Sequence, residues 1–227
     1  MGVQDGGPPG LPARLLLASA SPRRRDLVTL LRLPWRAAPQ NVDEERYLVT
    51  DPVVSALNVA LAKARAALPD LSADEMALAA DTVVVLDGAL LGKPLDADGA
   101  RAMLGALGGR THTVATGVCL LSADEAAWGA VVTSRVHMRD YSPEAIDAYI
   151  DRGEPFDKAG GYAVQDSAFK PVTGIDGCSL TVVGLPLCAV ARGLETQAFW
   201  SFQPPAGRLT PPCGYCHAGS RLVRIRE

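Results

Sequence analysis

Apolar positions along the chain switch repeatedly between two periods. Residues 15–18 form a short continuous apolar run, the pattern of a buried strand. Ser21-Pro22 follows, offering an N-cap and a proline suited to the first helical position, and Leu27, Leu30 and Leu31 continue at helical spacing. Over residues 53–68, Val53, Ala56, Leu57, Ala60, Leu61, Ala64 and Leu68 share one helical face. Residues 76–86 are apolar and β-branched except for Asp81 and Thr82, and predict a strand. Asp87-Gly88 is a hairpin signal that returns the chain through Ala89–Leu91. Asp96 can cap a helix holding Ala100, Met103, Leu104 and Leu107, which Gly108-Gly109 ends. Residues 113–121 and 130–138 predict two further strands. Ser142-Pro143-Glu144 opens a helix with Ile146, Tyr149 and Ile150 inward, stopped at Gly153. Val182 and Val183 read as a last short strand, and Pro186 opens a final helix to about Glu195. Alternating strand and helix signals of this kind imply an α/β domain.

The pattern stops at both ends. Residues 1–12 are rich in Gly and Pro and read as a disordered leader, and residues 196–227 form a Pro/Gly-rich extension with turn residues. Residues 13–195 are left as one domain, in keeping with a length of 227 residues. A formal net charge of −3 and a pI of about 5.7 argue against a general nucleic-acid binder but leave room for a local basic site. No apolar run reaches the ~18 residues that span a bilayer, and the start lacks a basic region followed by an apolar stretch. The expectation is a cytoplasmic chain with no membrane partner. Five cysteines, sparse and odd in number, do not make a disulfide framework, and Cys119 and Cys188 sit in apolar runs as core residues.

Several polar clusters interrupt this pattern. In Ser19-Ala20-Ser21-Pro22-Arg23-Arg24-Arg25 a strand feeds a helix N-terminus, where free N–H groups, two hydroxyls and arginines suit phosphate oxygens. A capped helix with a solvated basic turn is the plainer account. Asp81 lies inside an apolar strand, where a carboxylate is costly to bury without a partner and is often a base or a metal ligand. It could also face water at a strand end. Asp43-Glu44-Glu45 offers oxygen ligands to Mg²⁺, or is simply a solvated acidic loop. Lys63, Lys93 and Lys158 become interesting only in the company of the arginines. The glycines of segment 153–165 permit close backbone approach, and its Gln165 can read donors and acceptors on a base edge. Cys213-Gly-Tyr-Cys216-His217 has the spacing of a haem attachment site without an export signal, and carries no functional assignment.

Taken in order, LASASPRR (17–24), AADTVV (79–84), GKP (92–94), TGV (116–118), GEPFDKAGGYAVQ (153–165), IDG (175–177) and VVGLP (182–186) resemble the Maf family of nucleoside triphosphate pyrophosphatases. The resemblance covers roughly residues 14–195. It implies an α/β fold of the Maf/inosine-triphosphatase type, with an elongated mixed β-sheet, flanking helices and two lobes around a central cleft. It implies hydrolysis of a nucleoside triphosphate to the monophosphate and pyrophosphate, a divalent metal cation (Mg²⁺ or Mn²⁺), and a homodimer. On the family's pattern Asp81 is the proton acceptor, with Lys63 and Lys93 as catalytic cations. Ser19, Ser21 and Arg24 bind substrate, Glu44 holds the metal, and Arg23, Thr82 and Gln165 fall on positions tied to substrate choice. The chain is similar to the branch that takes dTTP and UTP, although Gly92 stands where that branch often has Glu. The alternatives are a same-fold pyrophosphatase for 7-methyl-GTP or inosine triphosphate, which a nucleotide panel separates, and a non-catalytic nucleotide binder acting in septum formation. That binder would hold nucleotides without turning them over.

Overall fold

Residues 14–198 are described in a computed structural model. The leader and the Cys213, Cys216 and His217 pattern lie outside the described residues. The elements are β1 (Arg14–Leu17), α1 (Pro22–Thr29), β2 (Trp35–Ala37), α2 (Pro52–Ala66), β3 (Glu75–Leu86), β4 (Ala89–Leu91), α3 (Ala97–Leu107), β5 (Thr111–Ser122), β6 (Ala127–Met138), α4 (Pro143–Asp151), β7 (Val172–Asp176), α5 (Ser179–Val183) and α6 (Leu187–Ala198). Short 3₁₀ turns at Glu44–Tyr47, Pro155–Asp157 and Ala159–Gly161 carry loop residues of interest below. No helix among the described residues is long and apolar enough to cross a membrane.

One mixed sheet in the order β2-β1-β3-β5-β6-β7 organises the chain, with β4 as an extra partner of β3. The first three strands in that order run parallel, and every other pairing is antiparallel. Both β1 and β4 use the same edge of β3, at opposite ends. Pairing with β1 reaches Leu78, and pairing with β4 starts at Val84. Residues 79–83 of β3 are therefore paired on the β5 side only. This notch in the sheet edge divides the molecule into two lobes.

Side chains alternate across a strand, so the two faces of β3 have different neighbours. Ala77, Ala79 and Val83 face α2, whose small Ala56, Ala60 and Ala64 let it lie close to the sheet. On the opposite face Met76, Leu78 and Ala80 pack with α1 and α6 in one core. Farther along, Val84 and Leu86 pack with α3 and α4 in another. The edge strand β2 is clamped across β1 to β3 by Glu75, whose carboxylate accepts from Arg36 Nε and Nη2 at 2.7 and 2.6 Å. These charge-assisted bonds, acting against burial, hold the Glu75 carboxyl down at about 2.

Most of the expected elements are present within a few residues of their expected limits. Val182 and Val183 are the correction: they end helix α5 rather than forming a strand. Their β-branched side chains favour extended backbone locally, but the Leu180 carbonyl accepts from both Gly184 N and Leu185 N, closing a helical turn. Gly184, at φ +115°, ends that turn in a conformation that disfavours side chains. Strands β2 and β7 have no counterpart in the periodicity. β7 is flanked by Pro171 and broken by Gly174, and its pairing to β6 makes it a strand.

Gly117 on β5 is the point where α2 touches the sheet most closely. A Cβ there would lie 2.4 Å from the Ala56 carbonyl oxygen and 2.5 Å from Leu57 N. Backbone cannot yield as a side chain can, so Gly117→Ala forces the whole helix outward. We expect it to lower stability by about 3 kcal/mol, measured by urea unfolding.

Candidate active site

Asp81 is the cross-strand partner of Gly117 and points to the α2 face. With no side chain at Gly117, α2 settles low enough for Lys63, near its C-terminal end, to reach the carboxylate. Lys63 Nζ donates to Asp81 Oδ1 at 2.8 Å. The same ammonium lies 2.7 Å from Glu44 Oε1, on the 3₁₀ turn that precedes α2. Lys63 is nearly buried, and the negative end of the helix dipole favours a cation there. Burial pushes the Asp81 carboxyl above its ordinary value, while the charges of Lys63 and Arg24 pull it down. Asp81 is thus a base of raised strength, kept in contact with a cation.

The opposite wall is built by α1. Ser21 caps that helix, its Oγ accepting from Arg24 N at 3.5 Å. Three basic residues in the first turn oppose the helix dipole, and the structure gives two of them specific partners. Arg24 folds back: Nε donates to the Gly184 carbonyl at 2.8 Å, Nη1 to Ser19 Oγ at 3.3 Å and Nη2 to Thr82 Oγ1 at 3.1 Å. Arg23 is partly exposed and lies 3.6 Å from Asp157 of the other lobe. Burial lowers the Arg24 pKa, but a guanidinium is so strong a base that it stays charged.

Between these walls lies a cleft of about 390 Å³, the size of a small-molecule site. Asp81, Lys63, Glu44, Arg23, Arg24, Ser21, Thr82, Lys93 and Gln165 all line it. Ser19 does not line it; its buried hydroxyl accepts from Ser21 N and Arg24 Nη1 and so holds the arginine. Lys93 is exposed at the rim, and neither it nor the Gln165 amide has a hydrogen-bond partner among the described residues. Lys158 differs: its ammonium is tied to Glu154 and Asp157 of its own loop. Tyr162, Val182 and Val183 also line the cleft; they stand in two of the sequence motifs but were given no site role there.

Asp81 and Glu44 each give one oxygen to Lys63, and both side chains line the cleft with a second oxygen that has no hydrogen-bond partner among the described residues. Hard oxygen donors from two carboxylates fit a divalent cation such as Mg²⁺ that arrives with phosphates. Among the described residues no group of three or more His, Cys, Asp or Glu side chains offers an all-protein cage.

Comparison with known proteins places this geometry. The family described as Maf-like protein matches residues 14–197. The chain belongs to the Maf family. Its relatives include proteins named dTTP/UTP pyrophosphatase from Moorella thermoacetica and Thermomicrobium roseum. The first is 45% identical over 179 residues, 78% of this chain and 92% of the relative. The second is 45% identical over 215 residues, 93% of this chain and 97% of the relative. A relative of the same name from Pyrococcus furiosus is 40% identical, covering 80% of this chain and 94% of its own. Among solved structures, the Ham1 protein of Staphylococcus aureus overlaps 56% of this chain and 72% of its own at 14% identity, with a TM-score of 0.40. At that score the overlap adds nothing to the Maf assignment.

The Asp81–Lys63 contact makes a measurable prediction. In Lys63→Met, Asp81 keeps its burial and its Glu44 neighbour but loses the ammonium, so its pKa rises further. A carboxyl-carbon NMR titration should show the Asp81 midpoint at higher pH than in the parent. An unchanged midpoint would show that the two groups are uncoupled.

Proposed function

We propose that this chain hydrolyses dTTP and UTP between the α and β phosphates, giving the monophosphate and pyrophosphate. The observation that carries the proposal is a largely but not fully buried carboxylate, Asp81, held by Lys63 across one cleft from a pinned arginine and two further cations. The names of the Maf relatives support the choice of nucleotides. Residues 13–195 form the catalytic domain in this reading; the family resemblance extends it to a homodimer, and the character of the N-terminal residues to a cytoplasmic location.

A triphosphate brings several negative charges. Arg24 meets them with a guanidinium already fixed by three acceptors, so little orientational freedom is lost on binding. Arg23 gives up a long contact with Asp157 for phosphate, and Lys93 adds a mobile point charge from the rim. Asp81 takes the proton of the attacking water, its burial raising its basicity and Lys63 keeping it ionised. Lys63 also holds the carboxylate in place. Asp81 and Glu44 would hold Mg²⁺ or Mn²⁺ together with the phosphates, and the cation would neutralise charge developing on the transferred group. Ser21, at the N-cap of α1, offers its hydroxyl proton to the phosphates while its oxygen accepts from Arg24 N.

The test is a panel of dTTP, UTP, CTP, ATP, GTP, inosine triphosphate and 7-methyl-GTP with Mg²⁺ or Mn²⁺, scoring pyrophosphate apart from phosphate. Pyrophosphate from dTTP and UTP is expected. Release of phosphate, or silence on both nucleotides, overturns the proposal. Asp81→Asn should lower turnover by at least about 100-fold with unfolding behaviour intact; near-parent turnover would remove Asp81 from the base role. Chelation should stop the reaction and Mg²⁺ or Mn²⁺ restore it.

A further inference from the structure

Thr116 belongs to the Thr116-Gly117-Val118 motif, and no step of the proposed reaction uses it. It is fully buried and sits directly across from Thr82 in the β3–β5 pairing. Its hydroxyl donates to the Thr181 main-chain carbonyl at 2.7 Å and lies 2.9 Å from the Thr82 hydroxyl. A threonine hydroxyl has one proton and two lone pairs. With its proton on the carbonyl, Thr116 can meet Thr82 only as an acceptor, so the Thr82 proton points at Thr116.

The other neighbour of Thr82 leaves as little choice. Arg24 Nη2 donates to Thr82 Oγ1 at 3.1 Å, and a guanidinium has no lone pair to offer. The relay therefore runs in one direction, from Arg24 through Thr82 and Thr116 to the Thr181 carbonyl. It is anchored by a group that only donates and a group that only accepts. Thr82 forms part of the cleft wall, and what it has left for a ligand is a lone pair.

A lone pair repels a phosphate oxygen and can instead take a proton from an N–H or O–H of the nucleotide. Uracil and thymine in a nucleotide have one base N–H, the imide N3–H between two carbonyls. Cytosine carries a lone pair at that atom. We propose that Thr116 is a positioning residue that takes the Thr82 proton. It thereby makes Thr82 an obligate acceptor for the imide N3–H, admitting uracil and thymine and refusing cytosine. The inference rests on the dTTP/UTP reading for the identity of the base. What it adds is Thr116, the direction of the relay and the atom that is read.

The test uses the full chain with Thr116→Val and Thr116→Ser. Calorimetry measures binding of the α,β-methylene analogues of UTP, N3-methyl-UTP and CTP, and pyrophosphate release from the natural nucleotides is followed alongside. The parent should bind the UTP analogue at least about tenfold more tightly than the other two, the expected effect of facing an acceptor with a lone pair or a methyl group. Thr116→Val frees the Thr82 hydroxyl to turn and donate, so the preference for UTP over CTP should shrink to a few-fold. Thr116→Ser keeps the relay and should keep the preference. A merely structural role would lower affinity for all three ligands together.

An unchanged preference in Thr116→Val overturns the proposal. So does a parent that binds the N3-methyl analogue as well as the UTP analogue, which would mean that Thr82 reads the sugar. Thermal unfolding checks that Thr116→Val is folded. Should it not be, Thr82→Val against Thr82→Ser makes the same comparison: preference lost in the first and kept in the second is expected, and equal preferences overturn the proposal. A preserved binding pattern without pyrophosphate release would overturn the hydrolytic reading and leave the Thr116 relay standing.

Discussion

The site depends on how closely one helix can approach one strand. Gly117 has no side chain, so α2 rests with its Ala56 carbonyl where a Cβ would otherwise be. That approach brings Lys63 down onto Asp81, the residue paired with Gly117 across the sheet. A carboxylate in an apolar strand would be costly without a partner. The alanine-rich face of α2 serves the same end, since Ala56, Ala60 and Ala64 keep the layer thin. Packing and chemistry are here one constraint: any larger residue at the contact would lift the lysine away from its carboxylate.

The second constraint is the notch in β3. A strand paired on both sides offers a ligand only what stands above or below the sheet. Because residues 79–83 lack a neighbour on one side, the cleft there takes side chains from both faces. Asp81 comes from the α2 face with Lys63 and Glu44. Thr82 comes from the other face with Arg24. Alternation along two consecutive residues thus separates a carboxylate centre from a polar centre held by the arginine, within one short stretch of chain. β1 ends early and β4 begins late, and the gap between them leaves that stretch open.

Electrostatic arrangement differs between the two walls. On one side a single ammonium serves two carboxylates through one oxygen of each. On the other side an arginine spends its donors on a carbonyl and two hydroxyls, which fix it without neutralising it. Such a charge keeps its full attraction for an anion while its orientation is already set. Arg23 is tied only by a longer contact to Asp157, so its charge is the more easily redirected.

Much of this was legible in the sequence. Helix and strand periods placed β3 around Asp81 and α2 around Lys63, because those patterns depend on near neighbours in the chain. The motifs named the polar residues that line the cleft. They gave Gly117 and Thr116 no role, although both stand in one of those motifs. Local propensity also misread Val182 and Val183, whose branched side chains favour a strand while the hydrogen bonds available to them close a helical turn. The sequence by itself determined which segments would be helix or strand and which charged residues would be costly to bury alone. Only the tertiary structure decided that Lys63 answers Asp81, that Arg24 is pinned by Gly184, and that a buried threonine orders the proton on Thr82. Those partners are 18, 160 and 34 residues apart in the chain, and packing alone brings them within hydrogen-bond range.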